Sequence, residues 1–460
     1  MLEINTARQV LAEALTTGGD FSEIFWEDTL RCGLSYLGGS MEQAISGRDH
    51  GAGIRVLKGT HAVYVYTNDT SLAGLMDAAR KAAAAIGSDR LPSGEIVLSA
   101  TPMGRLNPIA IAPDAVSARK KAAWMREAYQ AAKAYSQEIS QVSVGLNDSC
   151  RRIVIANSEG LYVPKEHTHV RIRVGAVAEK DGETQTGMNA PGWQRGYEAL
   201  EELDIAAMAQ AAAKQAVTML HADLCPAGRM PVAIENGFGG VLFHEACGHS
   251  LEATGVSKGH SEFCGKLGQQ IASPIVTAID DGTIPNGWGS GDVDDEGAPT
   301  RRNVLIEKGI LKQYLVDKLG GRRMGMEPNG CSRRQNYTFA PTSRMSNTFI
   351  APGTDDNGEI IASMGDGLYC ASMGGGSVNP MTGDFNFAVS EGYLVRNGKI
   401  DKPVRGATLI GRGSQILMAI DRVGTDMKTG QGMCGSLSGS IPADVGQPLI
   451  RIREITVGGR

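Results

Sequence analysis

Two imidazoles bracket a short run of this 460-residue chain, His244-Glu245-Ala246-Cys247-Gly248-His249, and a carboxylate adjoins the first of them. Eight histidines and fifty acidic residues would produce such a pattern about 0.015 times per chain by chance, so coincidence explains it poorly. Paired imidazoles point to a metal ion. Zinc is the default, because it takes nitrogen and sulfur donors and carries no redox chemistry. In the commoner HExxH arrangement the histidines lie four residues apart and share one helix face. A five-residue offset, at about 100° per residue, sets the rings about 140° apart on a regular helix, too divergent to chelate one ion. The helix must therefore be distorted. A π-type bulge would restore a shared face, and Gly248 is the most permissive residue for it. A catalytic zinc also takes a third protein ligand. By residue type Cys264, Cys331, Cys370 and Cys434 all qualify, whereas Cys247, inside the run, reads as a buried packing residue.

The elements that must present this run are a strand at 231–234, the glycine turn Gly237-Phe238-Gly239-Gly240 and a helix carrying both histidines. Upstream, periodicity predicts helices at 6–15, 72–86, 115–139 and 198–220, and strands at 21–29, 31–37, 53–57, 62–67, 142–146 and 151–157. Downstream, Lys308-Gly309 and Asn397-Gly398 predict hairpin turns, and Gly374-Gly375-Gly376 reads as a tight turn or a close-approach point for a peptide backbone. The acidic run Asp292 to Glu296 lacks the ligand spacing of an EF-hand loop and reads as a solvated loop. Cys225-Pro226-Ala227-Gly228 stops the last upstream helix and marks a boundary. The expectation is an α+β chain of two domains. Residues 1–225 form a mixed helix/strand domain serving dimerisation and walling a cavity; 226–460 form an antiparallel, strand-rich domain carrying the metal-site helix.

Composition narrows the function. Apolar residues at 42% and charged residues at 21% exclude fibrous and disordered classes. Forty-five Lys and Arg against fifty Asp and Glu give a net charge of −5, without the cationic excess that direct nucleic-acid binding needs. No basic-then-apolar N-terminal pattern and no run of eighteen apolar residues occurs, so neither a secretion signal nor a membrane span is expected. Eight dispersed cysteines without a CxxC pair fit a reducing cytoplasm.

The helix motif, Gly330-Cys331-Ser332-Arg333-Arg334-Gln335-Asn336-Tyr337, Arg344-Met345-Ser346-Asn347-Thr348, Met433-Cys434-Gly435 and Val445-Gly446-Gln447-Pro448 together resemble the TldD/PmbA family of metallopeptidases. The likeness is strongest from about 237 to 459. TldD-type members carry HExxxH and PmbA-type partners lack it, so the chain is similar to the TldD type. The resemblance implies one zinc ion per chain held by His244, His249 and Cys434, with Glu245 as the general base that activates the zinc-bound water for peptide hydrolysis. It also implies that small or unfolded peptides are cut inside a cavity closed by two subunits, a homodimer or a heterodimer with a PmbA-type chain. Open strand edges can take such a peptide by β-addition. His260, Arg333, Arg334 and Tyr337 are the oxyanion-stabilising candidates by type. The rival reading is a non-catalytic peptide- or partner-binding subunit with a structural metal site, which would need the three ligands but not Glu245.

Overall fold

Long antiparallel strands organise the first half of the computed structural model, which describes residues 1–91, 94–102, 104, 106–379 and 381–459. They are β1 (Phe21–Leu37), β2 (Ser40–Lys58), β3 (His61–Thr67), β4 (Ile139–Asn157), β5 (Leu161–Lys180) and β6 (Glu183–Asn189), in the order β3-β2-β1-β4-β5-β6. The breaks predicted after 29 and 146 do not occur. The chain runs straight through Leu30 and through Asn147-Asp148-Ser149-Cys150 because these residues pair in register, Leu30 opposite Cys150, Cys32 opposite Asp148 and Gly33 opposite Asn147. Their turn-forming side chains line a cavity instead of bending the backbone.

Four helices cover one face of this sheet. Helices α1 (Ile4–Ala14) and α2 (Leu72–Ile86) bury Ile24, Ile54, Val56 and Val154. Helices α3 (Ala118–Lys133) and α4 (Ile205–Leu220) bury Val144, Val170, Ile172 and Val174. Side-chain caps set their starts: Ser117 accepts from the Lys120 amide and Asp204 from the Ala207 amide. The cap at Asp204 splits the helix predicted at 198–220 into a single turn, Glu198–Glu201, and α4. Helix α3 ends at Lys133, so the segment up to 139 that was expected to be helical is not.

In the second half β7 (Gly228–Ile234), β8 (Ala278–Asp281), β9 (Arg302–Glu307), β10 (Asn347–Ile350), β11 (Gly367–Val378), β12 (Asp384–Arg396), β13 (Lys399–Arg405), β14 (Thr408–Arg412), β15 (Lys428–Ser436), β16 (Gly439–Gln447) and β17 (Ile450–Gly458) form two sheets. One runs β11-β7-β17-β14-β12 and closes on itself through β11 and β12; the other contains β9-β8-β10-β16-β15. Strand at 43% outweighs helix at 23%, with a strand-rich second half, which is the α+β class expected. The expected antiparallel pairing has exceptions, since β7 pairs β11 and β10 pairs β16 in parallel. Lys308-Gly309 and Asn397-Gly398 are left-handed hairpin turns, as their residue types predict. Gly374 to Gly376 do not turn. They lie within β11, where a Cβ on Gly376 would sit 2.1 Å from the Phe387 ring.

The first seven residues of strand β1, Phe21 to Glu27, are buried on both faces. Ile24 and Trp26 face the helices, while Glu23, Phe25 and Glu27 face the second half of the chain. Glu23 accepts from Arg334 at 2.6 Å and from Arg55 at 2.9 Å, and Arg55 also pairs with Glu296 at 2.6 Å. Lys165 reaches Asp295 at 2.7 Å. The acidic run expected to be solvated is therefore interior at Asp294, Asp295 and Glu296, because the sheet turns cations toward it. Burial opposes the charge on Asp295, but Lys165, Arg151 and Arg334 outweigh it and hold the carboxyl well below the usual range. Glu23→Ala takes the carboxylate from buried Arg334, leaves Arg55 with Glu296 alone, and is expected to lower the unfolding free energy by about 3–5 kcal/mol. The urea midpoint reads this, and an unchanged midpoint would show that the network does not hold the two halves together.

Candidate metal centre

The glycine turn ahead of the motif is shaped by close approach. A Cβ on Gly240 would lie 2.4 Å from the Gly446 backbone, and one on Gly239 would lie 2.7 Å from the Gln447 amide. The turn thus docks directly on β16, whose hairpin partner β15 carries Cys434. Helix α5 (Val241–Ala246) follows, then the chain breaks at Cys247, with φ −132° and ψ −47°, and resumes as a 3₁₀ turn over Gly248–Leu251. The required distortion is present, but it is a helix break and not the predicted π bulge. Gly248 serves packing: a Cβ there would lie 2.1 Å from the Met345 sulfur.

This break turns both rings toward one point. His244 Nε2 and His249 Nε2 each lie 3.2 Å from Cys434 Sγ, and the three donor atoms fall within 4.8 Å of one another. The ring planes are 85° apart. Burial opposes ionisation of Cys434, but hydrogen bonds and charge from His244 and His249 outweigh it and lower the thiol to about 3. The sulfur is held as a thiolate, the form that binds metal. With Zn–N about 2.1 Å and Zn–S about 2.3 Å, a tetrahedral site separates N from S by about 3.5 Å, so the donor set fits zinc.

Further groups brace these donors. Glu252 accepts from His249 Nδ1 at 3.1 Å, which orients the ring with Nε2 toward the sulfur. Arg344, fully buried, lies 3.8 Å from the same carboxylate and donates to the Cys434 carbonyl at 2.6 Å, to Ser438 Oγ and to the Gly439 carbonyl. From the other half of the chain, Arg171 donates to the Gln431 carbonyl at 3.0 Å, and within the hairpin's own half the Trp288 indole donates to the Gly432 carbonyl at 2.8 Å. Sequence reasoning missed Glu252, Arg171 and Trp288. Arg344 stands in a quoted motif, but nothing local signals what it touches.

Glu245 lies 3.7 Å from His249 Nε2 and is about a quarter exposed. Among the other cysteines considered, Cys331 and Cys370 are core residues and Cys264 donates to the Val256 carbonyl, so none joins the cluster. Of the oxyanion candidates, His260 is exposed. Arg334 and Tyr337 are engaged with β1. Arg333 lines an 820 Å³ cavity between the two halves, together with Met433 and Ile441, which flank Cys434 along and across the hairpin.

Family models of PmbA/TldA metallopeptidases match three successive stretches: domain 1 over residues 22–86, the central domain over 111–220 and the C-terminal domain over 227–459. A Haemophilus influenzae protein named metalloprotease TldD homolog is 37% identical over 423 residues, 89% of this chain and 87% of its own. A Methanothermobacter thermautotrophicus metalloprotease is 34% identical over 425 residues, 92% of this chain and 91% of its own. Among solved structures, a Thermotoga maritima protein described as a candidate modulator of a DNA gyrase has TM-score 0.78 at 22% identity, covering 95% of this chain and 96% of its own. TldE from Thermococcus kodakarensis has TM-score 0.77 at 18% identity and covers 99% of both chains. At these identities the structural likeness is one of fold.

Removing the carboxylate that orients His249 tests the bracing. Glu252→Ala is expected to weaken zinc affinity by about 10- to 100-fold, read by competition with a chromophoric chelator. Wild-type affinity would show that the ring is oriented without it.

Proposed function

Because the chain belongs to the PmbA/TldD metallopeptidase family, we propose that it is a zinc-dependent peptidase acting on small or unfolded peptides, with Glu245 as general base. A zinc ion held by His244, His249 and Cys434 would supply Lewis acidity, which polarises a carbonyl and acidifies water. Glu245 accepts a proton from the attacking water and returns it to the departing amine. The observation that carries this reading is the division of labour between two carboxylates around His249. Glu252 is buried on Nδ1 and orients the ring, while Glu245 stands partly exposed on the Nε2 side, where a substrate would react.

A purely structural metal site has no use for the second of these carboxylates. The net charge of −5 likewise offers nothing to a DNA backbone, so the gyrase description of a relative matched in fold does not extend to direct DNA contact here. We further propose that two subunits, a second copy or a PmbA-type chain, enclose the reaction.

Glu245→Gln is expected to retain one zinc per chain and to lose cleavage of an unstructured peptide by about 10²- to 10⁴-fold. Undiminished turnover by the zinc-loaded variant would overturn the assigned base. Stripping the wild-type protein with a chelator should abolish cleavage, and added zinc should restore it. Activity that survives verified metal removal would overturn the metallopeptidase mechanism.

A further inference from the structure

We propose that the cavity beside the metal centre captures a carboxylate group of the peptide through the guanidinium groups of Arg171 and Arg333. This deepens the peptidase reading and rests on it. The cavity wall carries several cations, and most are already neutralised: Arg48 by Asp28, Arg151 by Glu27, Lys165 by Asp295 and Arg334 by Glu23. Arg171 and Arg333 differ. Among the described residues neither forms an ion pair, although both line the cavity; Arg31, also on the wall and without an ion pair, is solvent-exposed on β1.

Their hydrogen bonds go only to backbone carbonyls. Arg333 donates from one Nη to the Met345 carbonyl at 2.8 Å. Arg171 donates to the Ala190 and Gln431 carbonyls at 3.1 and 3.0 Å, and its guanidinium lies 5.5 Å from the centre of the Trp288 ring. Each guanidinium has five N–H donors, so several remain free to serve a ligand.

The two belong to one corner. Both charges act on Asp444, whose own carboxylate is taken up by the Trp288 amide at 2.8 Å and the Gln431 side chain at 3.0 Å. Arg333 also acts on His169, which accepts no cationic role here: burial keeps that ring neutral at pH 7, and its Nε2 bonds the Trp288 carbonyl. Asp444 acts on both guanidinium groups, and Asp295 and Asp280 on Arg333, but among the described residues no carboxylate stands within ion-pair distance of either, so the direct contact is left to an anionic ligand. The planar donor fork of arginine matches a carboxylate best, and every peptide with a free C-terminus brings one. Met433 and Ile441, which flank Cys434 along and across the hairpin, line the same cavity as Arg171 and Arg333, and this places the corner beside the metal centre.

The test reads binding separately from turnover. Zinc-loaded Glu245→Gln is titrated with one fluorescent unstructured peptide in three forms: free acid, C-terminal amide, and amide with a glutamate at the last position. Charge-assisted hydrogen bonding predicts that the free acid binds at least about tenfold more tightly than the amide, a preference that fades as salt is raised. The glutamyl amide distinguishes a side-chain carboxylate from the terminal one as the group captured. Adding Arg333→Gln should remove the preference while zinc content is unchanged. If that variant does not fold, the acid-to-amide ratio and its salt dependence still decide. Equal affinity for all three forms would overturn the carboxylate corner. A wild-type protein that shows the preference but cleaves nothing would keep the corner and sink the peptidase reading.

Discussion

A thiolate and two imidazoles separated by about 190 residues of chain must be held within ligand distance of one zinc-sized point. Nothing in a flexible chain of this length would favour that arrangement, since closing so long a loop carries a large entropic cost. The fold meets it by making the delivery of Cys434 a property of a rigid hairpin. The glycine turn before the motif lies directly against β16, and Arg344 ties the Cys434 carbonyl to the region that orients His249. One buried guanidinium thus links both ends of the donor set.

The same hairpin is gripped from the first half of the chain. Arg171 holds the Gln431 carbonyl just ahead of Cys434, and Trp288, whose ring Arg171 approaches, holds the next, that of Gly432. Donor geometry is therefore coupled to how the N-terminal sheet seats on the strand-rich half. That seating rests on a buried set of charges around Glu23, Arg55, Arg334 and Glu296. Such a network adds little stability over a well-packed apolar interface, because desolvation offsets much of the attraction, but it penalises any displacement that separates its partners. A metal site that spans two halves of a chain is served by that kind of intolerance.

Electrostatics also divides the cavity. Where cations meet carboxylates the wall is closed and structural; where Arg171 and Arg333 hydrogen-bond to carbonyls and, among the described residues, form no ion pair, it stays receptive. Asp294, Asp295 and Glu296 belong to the closed part. This is why a segment that reads as solvent-facing lies in the interior.

Much of the local structure was legible in the sequence. Helix α2 and the hairpin turns at Lys308-Gly309 and Asn397-Gly398 follow from periodicity and left-handed residue pairs, both set by neighbours a few positions away. The five-residue spacing of His244 and His249 likewise dictated that a regular helix could not serve and that a third donor was missing, since both follow from helix geometry and zinc chemistry alone. The choice of Cys434 came from resemblance to relatives and not from its surroundings. Only the tertiary structure decided how the helix would break, because the contact of Met345 against Gly248 comes from a distant segment. It also decided that the chain at 30 and at 147–150 would stay extended, that 294–296 would be buried, and that Glu252 and Arg344 would brace the donors. Backbone preference is a short-range property of a chain, whereas ligand geometry and buried charge depend on which strands pair and in what register.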